Sequence, residues 1–163
     1  SFIFGTRQDY KGQILFNGQD TRTLSVEQWC EIRTKNISLL PQDMALFPEL
    51  TVGQNIDLKN NRTHHKTRQE IMDCLERVGI AEKYDVLACQ LSIGQMQRVA
   101  LVRALCQPFD FIFLDEPVSH LDARNNQIVA QMVSEEAQRQ GAGVIATSVG
   151  NHLLLSDAEF VAL

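Results

Sequence analysis

A chain of 163 residues suffices for one domain and barely for two, and at this length roughly 70% of the unfolded surface is buried on folding, so a hydrophobic core is within reach. An apolar fraction of 44% and a charged fraction of 21% exclude the disordered, collagen-like and low-complexity classes. Lys and Arg number 15 against 20 Asp and Glu, and the net charge of −5 argues against a nucleic-acid partner.

Residues 13–16 predict a short strand that ends at the turn signal Asn17-Gly18. Ser25 can cap a short helix running to about Arg33, with Val26, Trp29, Cys30 and Arg33 at helical spacing. Residues 37–40 are an apolar run before Pro41 and predict a buried strand, after which Pro48, Gly53 and the polar block 59–65 break up the chain. Residues 67–78 predict a helix with Ile71, Leu75 and Val78 on one face and Gly79 as its stop. A further helix covers 96–106 and is closed by Pro108, and residues 109–114 predict a buried strand. A long helix covers 122–140, with Ile128, Val129, Met132, Val133 and Ala137 turned inward and Gly141 ending it. Residues 143–147 predict a third buried strand and 160–163 a candidate fourth. Strands alternating with helices predict an α/β fold with a parallel sheet, and the stretch from about Phe47 to Cys106, with helices and no convincing strand, reads as a helical insertion.

No apolar run approaches the roughly 20 residues that span a bilayer, and residues 1–5 lack the basic start and long apolar body of a secretory signal. Cys30, Cys74, Cys89 and Cys106 lie far apart with no CxxC pair, so they read as single thiols in a reducing cytosol rather than as metal ligands.

The apolar strand at 109–114 runs straight into Asp115-Glu116-Pro117. Ligands gather at the carboxyl ends of buried parallel strands, so two adjacent acids there suggest work: one on a hard cation such as Mg²⁺, the other polarising an attacking water. Asp122 is a good cap for the helix that follows. About 20 residues upstream of the acids, Ser92 and Gly94 open a helix, where free N–H groups and a hydroxyl make a ready anion site.

Taken together, these pieces resemble the nucleotide-binding domain of ATP-binding cassette (ABC) ATPases, in the family's order across nearly the whole chain. Gln42 matches the glutamine of the Q-loop, and Leu91-Ser92-Ile93-Gly94-Gln95 with the following residues 96–100 matches the family signature. Residues 111–117 match the Walker B strand with its catalytic glutamate, and Ser119-His120-Leu121-Asp122 matches the D-loop. The resemblance implies a P-loop NTPase core (RecA-like, a mostly parallel sheet flanked by helices) from residues 1–46 and 107–163, with residues 47–106 as an inserted helical subdomain carrying the signature. It implies ATP and Mg²⁺ as ligands. Asp115 would hold Mg²⁺ through water, Glu116 would be the general base, and Gln42 would touch Mg²⁺ or the attacking water. Ser92, Gly94 and Gln95 would bind the γ-phosphate of ATP held by a second ABC ATPase domain, and Asp122 would reach across the same interface. Residues 44–56 look like the stretch that contacts a membrane permease, which implies a cytoplasmic protein peripheral at the inner face of the cell membrane, most similar to bacterial transporter subunits of the lipoprotein-release and macrolide-export groups. Rival readings are a non-transport ABC ATPase of DNA repair, chromosome organisation or translation, and a non-hydrolysing regulatory cassette.

Three departures from the family pattern stand out. None of the nine glycines is followed by Lys, so no GxxxxGK[ST] occurs; the resemblance implies that this loop and the helix after it precede the segment similar to residues 1–5, so the chain is expected to begin inside that helix, N-terminally truncated, and to bind ATP weakly by itself. The signature has Ile93 where glycine is usual, with little expected loss. Ser148 occupies the switch-histidine position, and because serine cannot carry a proton's charge as imidazole can, slow or differently gated hydrolysis is expected. Of the nearby histidines, His152 is expected at the surface, His64 and His65 solvated in a polar loop, and His120 near the dimer interface.

Overall fold

The computed structural model describes residues 3–5, 7, 9–156 and 158–161. A hairpin of β1 (Leu15–Phe16) and β2 (Gln19–Asp20) turns on Asn17 and Gly18, both at positive φ (50° and 82°), the backbone that an Asn-Gly pair supplies most cheaply. Then come α1 (Val26–Lys35), β3 (Ile37–Leu40), α2 (Val52–Thr63), α3 (Arg68–Arg77), α4 (Ile93–Ala104), β4 (Phe111–Asp115), α5 (Ala123–Gln140) and β5 (Gly143–Thr147).

The sheet has the order β3-β4-β5, all parallel, with Ile37 opposite Phe111 and Phe111 opposite Gly143. Ile112 and Leu114 point to the buried face, where they join Leu40, residues 99–102 of α4, and Val129 and Val133 of α5. The other face is covered more thinly: Phe113 packs with Trp29, Ile32 and Ile37 under α1, while Phe111 and Ile145 are each 45% exposed. β5 is therefore a half-exposed edge of the described sheet, not the buried strand its apolar sequence predicts. Phe160 and Val161 form no strand; Ala162 and Leu163, the rest of the predicted fourth strand, lie outside the described residues.

Helix ends follow the capping rules closely. Ser25, Thr51, Thr67 and Ser92 each accept a bond from the N3 amide, while the N3 Gln or Glu reaches back to the cap. Gly141 ends α5 at φ 65°. Two sequence expectations are corrected. α1 buries Trp29 and Ile32, whereas Val26 and Cys30 are exposed. Residues 52–63, read as broken chain, form α2: the Thr51–Gln54 capping box starts it, and Gly53 sits inside it because the Tyr84 ring presses there. A methyl group at Gly53 would lie 2.1 Å from that ring.

Buried polar groups tie the helices together. Asn55 uses its whole carboxamide to shape the preceding turn, accepting from Phe47 N and donating to the carbonyls of Phe47, Leu50 and Thr51. Ser38, buried in β3, donates to Ala104 O at 2.6 Å. Glu136 of α5 receives Lys66 Nζ at 2.7 Å and Gln140 Nε2 at 2.6 Å, with His65 Nε2 at 2.9 Å and the Arg139 guanidinium beside it. His65 is thus part of a half-buried ion cluster joining the α2–α3 connection to α5, not a solvated loop residue. Burial alone would raise the Glu136 carboxyl; bonds from Arg139, Lys66 and His65 overcome it and hold it at about 2.

Candidate functional site

The carboxyl ends of the three parallel strands bring four predicted residues to one edge: Gln42 beyond β3, Asp115 and Glu116 at the end of β4, and Ser148 just after β5. Asp115 lies opposite Thr147, whose hydroxyl donates to Asp115 Oδ1 at 2.6 Å. Glu116 has φ 51°, a left-handed backbone that a non-glycine residue adopts only under constraint. Its N–H donates to Thr147 O at 3.0 Å, its Oε1 accepts from Val149 N at 2.7 Å, and its carbonyl accepts from Gln97 Nε2 at 2.8 Å. Ser148 Oγ is 2.6 Å from His152 Nδ1, so His152, although exposed as expected, is engaged with Ser148.

The second predicted group stands apart from the first. Ser92, Gly94 and Gln95 form the first turn of α4, where Ser92 Oγ accepts from Gln95 N and Gln95 Oε1 accepts from Ser92 N. The first-turn N–H groups of a helix lack intrahelical partners and face outward as an anion-binding end. Gly94 packs under the turn after β4, where a methyl group would lie 3.1 Å from His120 O. Asp122 caps α5, and the Asn125 amide holds its carboxyl below the usual range. Gln97 joins the two groups. Only 4% exposed, it bonds Glu116 O, Ser119 Oγ at 3.2 Å and the His120 amide at 3.1 Å.

Gln42 is exposed and is followed by Met44 and Ala45, both left-handed at φ 59° and 45°. Arg103 of α4 holds this turn, donating Nη2 to Met44 O at 2.6 Å and Nη1 to Ala45 O at 2.7 Å. Beside it a cavity of about 450 Å³ opens between α1, β3 and α2, lined by Arg33, Lys59, Arg62 and Arg103 together with Phe47 and Leu58. Burial, with Arg103, Arg62 and Arg33 nearby, lowers the Lys59 ammonium to about 8.

The donor set at the strand ends fits Mg²⁺ in one way only. Among the described residues there is no group of three or more His, Cys, Asp or Glu able to hold a metal. Asp115, Thr147 and Gln42 are hard oxygen donors, and Mg²⁺ commonly binds through one or two carboxylates plus substrate phosphates. One carboxylate with neutral oxygens beside it fits a Mg²⁺ whose other ligands are waters and phosphate oxygens. Gln97, Arg103 and Thr147, to which the sequence assigned no role of their own, act by tertiary hydrogen bonds.

The ABC transporter family profile matches residues 1–119, a span that includes Gln42, Ser92, Gly94, Gln95, Asp115 and Glu116 and ends before Asp122 and Ser148. The chain is 31% identical over 140 residues to the lipoprotein-releasing system ATP-binding protein LolD of Shewanella frigidimarina, covering 84% of this chain and 59% of that protein. It is 36% identical to the thiamine import ATP-binding protein ThiQ of Vibrio cholerae, covering 99% and 65%. Against the methionine import ATP-binding protein MetN of Haemophilus ducreyi it is 34% identical and spans 40% of that length. The chain thus spans between 40% and 65% of these three relatives. A dimeric ATP-binding cassette in a post-hydrolysis state with ADP and Pi superposes with a TM-score of 0.72 at 25% identity, covering 84% of this chain and 62% of that one. A bacterial Atm1-family ABC exporter with ATP bound superposes at 0.71 and 25% identity, covering 89% and 26%. Strand order, the acid pair at the end of β4 and the profile match lead to one conclusion: the chain belongs to the ABC transporter family, as an ATP-binding cassette with the α/β architecture of P-loop NTPases.

Proposed function

We propose that the chain is the ATP-hydrolysing cassette of a membrane transporter. The observation that carries this reading is Glu116, held in a left-handed backbone beside Asp115 at the end of a buried strand. Glu116 accepts a proton from water as the water oxygen bonds to the γ-phosphorus and the bond to the ADP oxygen breaks, giving ADP and phosphate. Asp115, whose Oδ1 accepts from the Thr147 hydroxyl, would hold Mg²⁺ through its water shell, and Gln42 would touch the same ion or the attacking water. When bound, Mg²⁺ supplies neutralisation of charge on the phosphate oxygens. Ser92, Gly94 and Gln95 offer a helix start to the γ-phosphate of a nucleotide on a second cassette, and Asp122 meets the same interface. Ser148, bonded to His152, stands at the end of β5 and slows or gates the step.

Transport by such a cassette works through a permease subunit or domain; among the described residues no helix is long and apolar enough to cross a membrane. Residues 44–56 and the adjoining cavity suit that partner: Phe47 is 50% and Leu58 43% exposed, and no acidic side chain lines the cavity. The cassette then sits on the cytoplasmic face of the membrane. The test is ATP hydrolysis by the native protein purified from membranes. Glu116→Gln is expected to cut turnover by about 100-fold or more while ATP binding persists. Full turnover in that variant overturns the assignment. Absence of hydrolysis in the unmodified protein, with ATP still bound, favours the regulatory cassette, to which Ser148 points; co-purification with DNA or ribosomes instead of a permease favours the non-transport reading.

A further inference from the structure

We propose that Gln97 is the positioning residue for Glu116, holding the acid in the conformation that presents its carboxylate; this rests on the reading of Glu116 as the general base. Two intrinsic preferences oppose that conformation. A side chain at φ 51° meets its own backbone, and a residue before proline, here Pro117, is driven toward extended backbone. External bonds must therefore hold the residue; besides Ser119 of its own turn, whose N–H and hydroxyl reach Glu116 O at 3.4 and 3.1 Å, three residues from elsewhere in the fold supply them. Thr147 O and Val149 N fix the amide and the carboxylate from β5 and the residues after it, and Gln97 fixes the carbonyl from the opposite side.

The Gln97 carboxamide is suited to this task. All three of its bonds go to residues 116–120, and none goes to its own helix. At 4% exposure it has little water to exchange with. Ser119 Oγ also lies 3.1 Å from Glu116 O, but that hydroxyl is shared with His120 Nδ1 at 3.0 Å and has one proton to give. Gln97 lies five residues after Ser92 on α4, so the helix that opens the signature segment also grips the base. A shift of α4 along or about its axis reaches Glu116 through this single side chain.

NMR on the chain itself tests the positioning. Gln97→Met keeps the length of the side chain and removes its polar atoms. The expected result is a Glu116 HN–Hα coupling that moves to the extended range, with Val149 amide exchange rising about tenfold relative to the amides of β5. Ser119→Ala should move both readouts less. An unchanged coupling, or exchange that rises uniformly across β5, overturns the proposal and leaves Gln97 as ordinary packing. If Gln97→Met does not fold, Gln97→Asn, which keeps the carboxamide but cannot span to Glu116 O, is judged by the same two readouts. In the native protein Gln97→Met should lower kcat for ATP hydrolysis by about tenfold or more with little change in KM. Unchanged kcat beside an inactive Glu116→Gln also overturns it. Should Glu116→Gln prove fully active, the base assignment fails while the NMR readouts still decide whether Gln97 sets the Glu116 backbone.

Discussion

Replacing Arg103 by Met should destabilise the chain by about 3 kcal/mol, and the figure follows from what the guanidinium does. Arg103 is 8% exposed, and two of its N–H groups reach Met44 O and Ala45 O at 2.6 and 2.7 Å. Both acceptors sit in left-handed backbone, at φ 59° and 45°. Two bonds from a charged donor contribute about 1.5–3 kcal/mol each, with no further penalty for stranded carbonyls, because Met44 is half-buried and Ala45 exposed and water can replace the donor. Against this, removing the guanidinium recovers the cost of burying it, seen in the burial that lowers its pKa, with Asp43 only partly offsetting. The balance is about 3 kcal/mol lost, and the turn after Gln42 relaxes toward extended backbone. Urea unfolding followed by the fluorescence of Trp29, the single tryptophan, reads this directly. With a slope of about 2 kcal/mol/M, the midpoint should fall by about 1.5 M at unchanged slope. Arg103→Lys, which keeps the charge and loses the fork, should fall between. A Met variant within about 0.5 kcal/mol of the parent would falsify the view that this side chain holds the turn.

Two further outcomes are expected. Gly53→Ala places a methyl group 2.1 Å from the Tyr84 ring, which is itself covered by Arg68, and should cost about 2 kcal/mol, seen as a Tm lower by about 4–8 °C; an unchanged Tm would show that the ring yields freely. The Glu136 carboxyl at about 2 lies below its ordinary 4.5, so the unfolded chain binds the extra proton between these values; its stabilising contribution, on the order of 3 kcal/mol, is complete above about pH 5 and disappears as pH falls through 2. Tm measured from pH 6 to pH 2 should therefore fall more steeply in the parent than in Glu136→Gln, and parallel curves would contradict the assignment.

The sequence made the helix starts legible where one residue type does one job. Ser25 and Asp122 cap helices as their positions predict, and Ile71, Leu75 and Val78 are buried together. α2 was hidden because Gly53 and the polar run 59–65 carry breaker chemistry, although Thr51-x-x-Gln54 spelled its start; what overrides the breaker is Tyr84, a contact across 31 positions that no local pattern encodes. The strand-edge cluster could be read because parallel strands bring their carboxyl ends to one side. The clamps at Gln97 and Arg103 could not, since both depend on how α4 is rotated against β3 and β4. His65 looked solvated because its neighbours in sequence are polar; its partner Glu136 comes from α5.

One helix gripping two loops and a strand constrains how such a chain can change in length. α4 is capped at Ser92, reaches residues 116–120 through Gln97, the turn after Gln42 through Arg103 and the strand β3 through the Ser38 bond to Ala104 O. Adding one residue between Gln97 and Arg103 would swing one side chain away from the other by about 100° around the axis. No single loop could then follow without releasing another. Insertions and deletions should be absent from residues 92–104 of related chains and should collect at surface turns such as Asn17-Gly18, where nothing distant is held in register.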